Sequence, residues 1–244
     1  AQVALDACAR LLADEGDTVW LESPGYLPAR AVMLAAGLKP VHVPVDTSGM
    51  APDAGLWQRS PPRLVYLTPS HQYPLGAVLG LERRLEFLRR MTAMQGWIIE
   101  DDYDSEFNHA LPGYLPLPSM QGLHPEAPVV YVGTFSKLLY PGLRIAYMVV
   151  PQRVAGAFGD CIESLYRSGQ AVEQRALASF IESGALTRHL RRMAPIYRAR
   201  QMVLRRELLA GFGPEIEILG GDAGLHLAFA WRDGPPDVQV VARA

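Results

Sequence analysis

Apolar positions along this chain fall into short runs separated by amphipathic stretches, and the two alternate. Residues 2–13 place Leu5, Ala9 and Leu12 on one face at helical spacing, which predicts an amphipathic helix. Residues 18–22 read as a strand. Residues 28–36 read as a helix closed by Gly37, a residue suited to the position just past a helix end. Short strands are expected at 41–45 and at Arg63-Leu64-Val65-Tyr66-Leu67. Residues 81–94 predict a helix with arginines on its outer face, ended near Gly96, and strands follow at 97–100, 129–132 and 144–150. Helices and strands alternating in this order predict an α/β fold with a mostly parallel, doubly wound sheet.

The texture changes after Pro151. Residues 154–182 and 185–209 predict two long helices. Arg188, Arg191, Arg192, Arg198, Arg200, Arg205 and Arg206 crowd the second, among carboxylates such as Glu173, Glu182 and Glu207. Such a run reads as a solvated helix face, and the net charge of −2 offers no electrostatic footprint for nucleic acid. Residues 110–128 are proline-rich and without period, and are expected to form an ordered loop over the site. Residues 1–16 read as a charged helix, not a signal peptide. No apolar run reaches the length of a membrane span. Two cysteines, Cys8 and Cys161, far apart in sequence, imply neither a disulfide framework nor a zinc site and fit a reducing cytoplasm.

The chemistry gathers at strand ends. Val129-Val130-Tyr131-Val132 feeds Gly133-Thr134-Phe135-Ser136-Lys137, followed by Pro141-Gly142-Leu143-Arg144. A lysine at a buried strand end is expected to have its charged form disfavoured, which is what an imine-forming lysine needs. Hydroxyls and a guanidinium beside it suit a phosphate. Together they point to pyridoxal 5′-phosphate, an aldehyde with a phosphate handle. Trp97-Ile98-Ile99 runs into Glu100-Asp101-Asp102-Tyr103-Asp104-Ser105-Glu106-Phe107, and carboxylates at a strand's carboxyl end sit where open α/β sheets bind ligands. A pyridine nitrogen needs such a carboxylate. Asp102, Asp104 and Glu106 read as solvated loop residues. Tyr26, after Ser23-Pro24-Gly25, is placed to lie against an aromatic ligand.

These segments resemble the fold-type I pyridoxal-phosphate superfamily, class I/II aminotransferases. Within it, Pro69-Ser70-His71-Gln72-Tyr73-Pro74-Leu75-Gly76 and Glu100 to Phe107 resemble the MocR/GabR-type regulators, which join a GntR-type winged helix-turn-helix to an aminotransferase-like domain. The likeness runs from Gln2 to about His226. It implies that Lys137 carries the cofactor as an internal aldimine, that Asp101 faces the pyridine nitrogen, and that Tyr103 lies near the ring oxygen. It implies Tyr26 as the stacking ring, Thr134, Ser136 and Arg144 as phosphate ligands, and Gln2 as the polar residue opening the phosphate-binding helix. The Asn-Pro-x-Gly turn of ordinary aminotransferases stands here as Tyr73-Pro74-Leu75-Gly76, leaving His71 or Gln72 to supply the asparagine's hydrogen bond.

The resemblance further implies a large cofactor-binding domain over residues 1–150, long helices over 151–210 completing it, and the start of a smaller domain over 211–244, with strands at 215–219 and 225–229. The chain is expected to be part of a longer protein. The arginine that grips a substrate carboxylate would lie past residue 244, and a DNA-binding domain would lie outside the chain altogether. A homodimer is expected. The regulator reading makes the chain an effector domain sensing an amine, an amino acid or the cofactor itself through exchange at Lys137. The alternative is a complete aminotransferase acting on an amino acid and a 2-oxo acid. A vestigial domain kept for dimer contacts fits less well with so many chemically competent positions.

Overall fold

Successive residues of each central strand face opposite ways, and both faces are buried. The computed structural model describes residues 1–107, 117–124, 126–167, 169–220 and 224–242. The chain begins with α1 (Gln2–Leu12), β1 (Thr18–Ser23), α2 (Leu27–Ala35), β2 (Lys39–Asp46), β3 (Gly49–Met50), α3 (Leu56–Arg59), β4 (Leu64–Leu67) and α4 (Leu81–Ala93). It continues through β5 (Trp97–Asp102), β6 (Val129–Thr134), β7 (Ala146–Val149), α5 (Gln152–Tyr166), α6 (Ala171–Glu182) and α7 (Ala185–Phe212). Strands β8 (Ile216–Leu219) and β9 (Ala228–Trp231) and helix α8 (Asp237–Val241) follow.

Seven strands form one sheet in the order β3-β2-β1-β4-β5-β6-β7, and β8 and β9 form a separate antiparallel pair. The five central strands are parallel, and only the edge strands β3 and β7 run antiparallel. This is the mostly parallel α/β sheet expected from the alternation of elements. Val19, Leu21, Leu64, Tyr66, Trp97, Ile99, Val130 and Val132 pack on one face with Leu5, Cys8 and Leu12 of α1, Ala29 and Met33 of α2 and Phe158 of α5. Their neighbours Trp20, Val65, Leu67, Ile98 and Val129 face the other way, against Trp57 of α3 and Phe87, Leu88 and Met91 of α4. A sheet buried on both sides explains why its strands read as unbroken apolar runs.

Four expectations need correction. The helix expected over 154–182 is broken: α5 ends at Tyr166 and α6 begins at Ala171, and Arg167 and Gly169 between them take positive φ. Arg144 does not open a strand; it sits in the left-handed region at φ 54°, before β7. The strand expected over 225–229 is displaced to β9, and residues 224–226 instead cross the ends of β4 and β5. Lastly, α4 does not carry all its arginines outward. Arg84 is buried, donating to the carbonyls of Leu79 (2.8 Å), Pro118 (2.9 Å) and Pro69 (3.0 Å), with Glu100 at 3.8 Å.

Part of the proline-rich stretch, 110–116 and residue 125, lies outside the described residues. Its described remainder does not cover the strand ends. Met120 is buried on the α4 side, where the main-chain N–H groups of Met120 and Gln121 donate to the Glu100 carboxylate at 2.9 and 3.0 Å. Arg84 and Glu100 therefore tie α4, β5 and this loop together. Removing one member of a buried charge network leaves its partners desolvated and unpaired. Arg84→Ala is expected to destabilise the fold by about 3–5 kcal/mol in urea denaturation. Its neighbour Arg83, half-exposed and paired with Asp46 at 2.7 Å, should cost about 1 kcal/mol or less on the same change. Equal losses would show that Arg84 does not hold this network.

Candidate functional site

The carboxyl ends of β1, β4, β5 and β6 open on one cavity of about 390 Å³, on the α1 side of the sheet. Strand order reverses between β1 and β4, and an open α/β sheet forms a crevice at such a point. The size lies within the range of small-molecule sites. Lys137, Asp101, Tyr103, Tyr26, Thr134, Ser136, Arg144 and Gln2 all line it. Tyr66, Thr68, Tyr73, Asp104, Leu225 and His226 line it as well.

Lys137 stands on a turn held from several sides. The Phe135 N–H donates to the Ile145 carbonyl at 3.0 Å, and the Ser136 N–H to the Thr134 hydroxyl at 3.2 Å. Leu138 is buried, and its carbonyl lies 3.0 Å from Nε2 of His189 on α7. Lys137 itself is exposed, so the burial expected for it at this strand end is not found. The turn presents its side chain to the cavity instead. Arg144 is exposed too, and its left-handed backbone brings it to the same cavity. Among the described residues neither cation forms an ion pair.

Asp101 lies on the opposite wall and is buried. Its Oδ2 accepts from the Tyr66 hydroxyl at 2.7 Å. Burial pushes its carboxyl up to about 6, against the pull of that hydroxyl. Nearby, the buried Glu22 accepts from the Thr68 hydroxyl at 2.6 Å and from the Thr68 N–H at 3.3 Å. Burial pushes Glu22 up to about 7. Asp102 points elsewhere, capping the Ser105 N–H at 3.2 Å, and does not line the cavity. Asp101 is thus the strand-end carboxylate that faces it.

Tyr103 closes one side. Its hydroxyl donates to the His71 carbonyl at 2.8 Å and lies 3.3 Å from Nδ1 of both His71 and His226. Asp104, expected to be solvated, is buried: its carboxylate meets His71 Nδ1 at 3.1 Å and accepts from the Leu225 N–H at 2.7 Å. Asp102 is buried as well, whereas Glu106 is exposed as expected. His71 stands behind Tyr103 and is not part of the cavity wall. Gln72 is occupied by main chain of its own loop and of the loop after β1, donating to the Tyr73 and Pro24 carbonyls at 2.7 and 2.9 Å and accepting from the Leu75 N–H at 3.0 Å. Tyr73, in the asparagine's place, meets Tyr26 and Tyr103 edge-on, with centroids 5.8 and 6.2 Å apart.

Leu225 and His226 arrive from the strap after β8. His226 Nε2 lies 3.0 Å from the Pro74 carbonyl. The strap crosses the 71–76 loop at two glycines. A Cβ on Gly76 would stand 2.8 Å from Gly220 Cα, and a Cβ on Gly220 would stand 2.7 Å from Gly76 Cα, with φ of +76° and +63°. Tyr66 and Thr68 carried a signal in their parity, since both share the face of Ile99 and Asp101. Leu225 and His226 carried none.

The donor set suits a phosphorylated, cationic-ring ligand: two cations without counter-ions among the described residues on one wall, and a buried carboxylate on the other. The family described as aminotransferase class I and II matches residues 1–240, and the chain belongs to it. More particularly, it is 42% identical over 229 residues to the probable rhizopine catabolism regulatory protein MocR of Rhizobium meliloti, covering 93% of this chain and 45% of that protein. It is 38% identical over 212 residues to the uncharacterized HTH-type transcriptional regulator YhdI of Bacillus subtilis, covering 87% of this chain and 44% of that one. The chain spans less than half the length of these two relatives. Among solved structures, it superposes on LysN, the alpha-aminoadipate aminotransferase of Thermus thermophilus complexed with N-(5'-phosphopyridoxyl)-L-leucine. The TM-score is 0.88 at 27% identity, over 99% of this chain and 62% of that one.

The raised carboxyls set a pH dependence. Folded Glu22 and Asp101 keep their protons to higher pH than their unfolded counterparts, at about 7 and about 6. Their contribution to stability is therefore fully present at low pH and falls as pH rises from the ordinary carboxylate range through these values. For the ligand-free protein, urea denaturation at pH 5 and pH 8 should show a loss of which Glu22 accounts for about 2–3 kcal/mol. Glu22→Gln should flatten the profile by that amount; an unchanged slope would contradict the assignment.

Proposed function

We propose that this chain is the pyridoxal 5′-phosphate-binding, aminotransferase-like effector domain of a MocR/GabR-type transcription regulator, sensing an amine, an amino acid or the cofactor itself at Lys137. One observation carries the reading: Lys137, Asp101, Tyr103, Thr134, Ser136 and Arg144, scattered over the sequence, meet at one cavity at the sheet's reversal point. Bound there, the cofactor would supply an electrophilic carbon for amines and a ring able to accept electron density.

The chain's own residues then have distinct jobs. The Lys137 amine would carry the cofactor and, once released by an incoming amine, could move a proton as a base. Asp101, raised by burial, is ready to hold a proton-bearing ring nitrogen, with Tyr66 keeping its carboxylate in place. Tyr103 would donate to the ring oxygen, and Tyr26 would lie against the ring. Arg144, with the Thr134 and Ser136 hydroxyls and Gln2 at the start of α1, would take the phosphate. His71, standing behind Tyr103, would act on the cofactor only through it.

Residues 1–150 would form the cofactor-binding domain, 151–210 the helices leading from it, and 211–244 the start of a smaller one. The whole protein would be a cytoplasmic homodimer, symmetric pairs being the commonest assemblies, with DNA contacted through a domain outside this chain. Among the described residues, no helix is long and apolar enough to cross a membrane. A complete aminotransferase is the second reading, favoured by the accessibility of Lys137, and a turnover assay with amino acid and 2-oxo acid decides between them.

Loaded with pyridoxal phosphate, the full-length protein should absorb in the visible, and Lys137→Ala should abolish the band. An unchanged spectrum in that variant would remove Lys137 from the site. In a mobility-shift assay, residues 1–244 should leave operator DNA unretarded while the full-length chain retards it. Salt-sensitive, sequence-specific binding by residues 1–244 would instead turn the arginines of α7 into a DNA-reading surface.

A further inference from the structure

His71, Asp104 and His226 come from three distant points of the chain and meet where the strap crosses the 71–76 loop. A ring nitrogen of each histidine and a carboxylate oxygen of Asp104 all lie within 4.8 Å of one another. His71 and Asp104 are buried and His226 is half-buried. The Asp104 oxygens stand 3.1 and 3.3 Å from His71 Nδ1, and the Tyr103 hydroxyl stands 3.3 Å from Nδ1 of both histidines. The two imidazoles have their centroids 4.2 Å apart, close enough for one ion to reach a nitrogen of each. An ion held tetrahedrally by nitrogen and oxygen at ~2.0–2.1 Å sets its donors about 3.3 Å apart. The four donor separations match that spacing.

We propose that His71, Asp104 and His226 bind a four-coordinate divalent metal of the zinc class, with the Tyr103 hydroxyl in the fourth position, which water takes in open zinc sites. The surrounding contacts support this. A metal-ligating histidine donates its second nitrogen to a carbonyl or carboxylate. His226 Nε2 stands 3.0 Å from the Pro74 carbonyl, so its hydrogen belongs there and the Nδ1 lone pair faces the cluster. Burial lowers the pKa of His226 and favours the neutral ring that ligation requires. Asp104 is held in place by the Leu225 N–H, 2.7 Å from Oδ2. Gly224 follows the same strap at φ +66°, and a Cβ there would collide with His71 Nδ1 and Asp104 Oδ2, so the corner shared by these donors stays open only to a residue without a side chain.

Mixed nitrogen and oxygen donors suit zinc or cobalt and not calcium or magnesium, which take oxygen alone. Without a metal, the His71 Nδ1 hydrogen points to Asp104. On binding it moves to Nε2, which has no partner among the described residues in either state. Lys137 faces His226 and opposes a cation, whereas Asp101 and Glu22 face Tyr103 and favour one. Tyr103 cannot both hold the metal and donate to a cofactor's ring oxygen, so metal and cofactor compete. The metal site itself does not rest on the cofactor reading.

Cobalt(II) is the probe, because its visible bands report four-coordination. The untagged, cofactor-free full-length protein should take up about one cobalt ion per chain at this site and release it to zinc. Asp104→Asn and His226→Phe should each weaken uptake about tenfold or more. X-ray absorption of the zinc form should show nitrogen and oxygen neighbours with imidazole scattering. Adding pyridoxal phosphate should lower the cobalt affinity. A wild type without cobalt bands, sulfur bound to the zinc, or unchanged affinity in both variants overturns the proposal. The wild-type measurement and the X-ray absorption keep it falsifiable where a variant fails to fold. A missing aldimine band would count against the cofactor reading alone, since the metal is measured without cofactor.

Discussion

Three consecutive carboxylates, Glu100, Asp101 and Asp102, are buried at the end of the central strand β5. Acids in succession alternate between the two faces of a sheet, so no single partner can serve them. Glu100 turns to the α4 side, where two main-chain N–H groups and Arg84 meet it. Asp101 turns to the cavity side and is held by Tyr66. Asp102 turns inward to cap the bend that follows. Each solution commits a different part of the molecule, so α4, the loop at Met120, β4 and the 105–107 turn are all placed by the need to accommodate β5.

The sheet was legible because burial on both faces leaves its strands as unbroken apolar runs. Helices α1, α2 and α4 were legible because one face of each is apolar, whereas the four-residue α3 is too short to show a period. What escaped was whatever depends on a partner distant in sequence. Arg84 looks like its neighbours on α4 until the carbonyls of Pro69 and Pro118 surround it. Asp104 looks like loop until Leu225 arrives across 121 residues. The break between α5 and α6 was hidden because residues on either side remain helix formers, and only the backbone at Arg167 and Gly169 marks it. Lys137 was expected in a buried setting because the strand before it is buried, but the turn that follows leads the chain out to the cavity.

The site divides into walls with different physical characters. The wall built from β6 and the turn after it is cationic and accessible, and its residues are near one another in sequence, which is why the motif could be read locally. The wall built from β4 and β5 carries the buried Asp101, with the buried Glu22 of β1 close behind it, and burial holds the protons of both carboxyls above their ordinary range. A ligand carrying both an anionic and a cationic end would be oriented by this asymmetry before any bond forms.

The crossing of Gly76 and Gly220 has a consequence for how such a chain can change over generations. Each glycine stands where the other's side chain would have to go, and both adopt left-handed backbone. Replacing one cannot be compensated by shrinking the other, since neither has anything left to lose. Mutational drift can alter Leu225 and His226 while the crossing at Gly76 and Gly220 stays the same. The pocket's lining on that side is thus free to diversify on a fixed track.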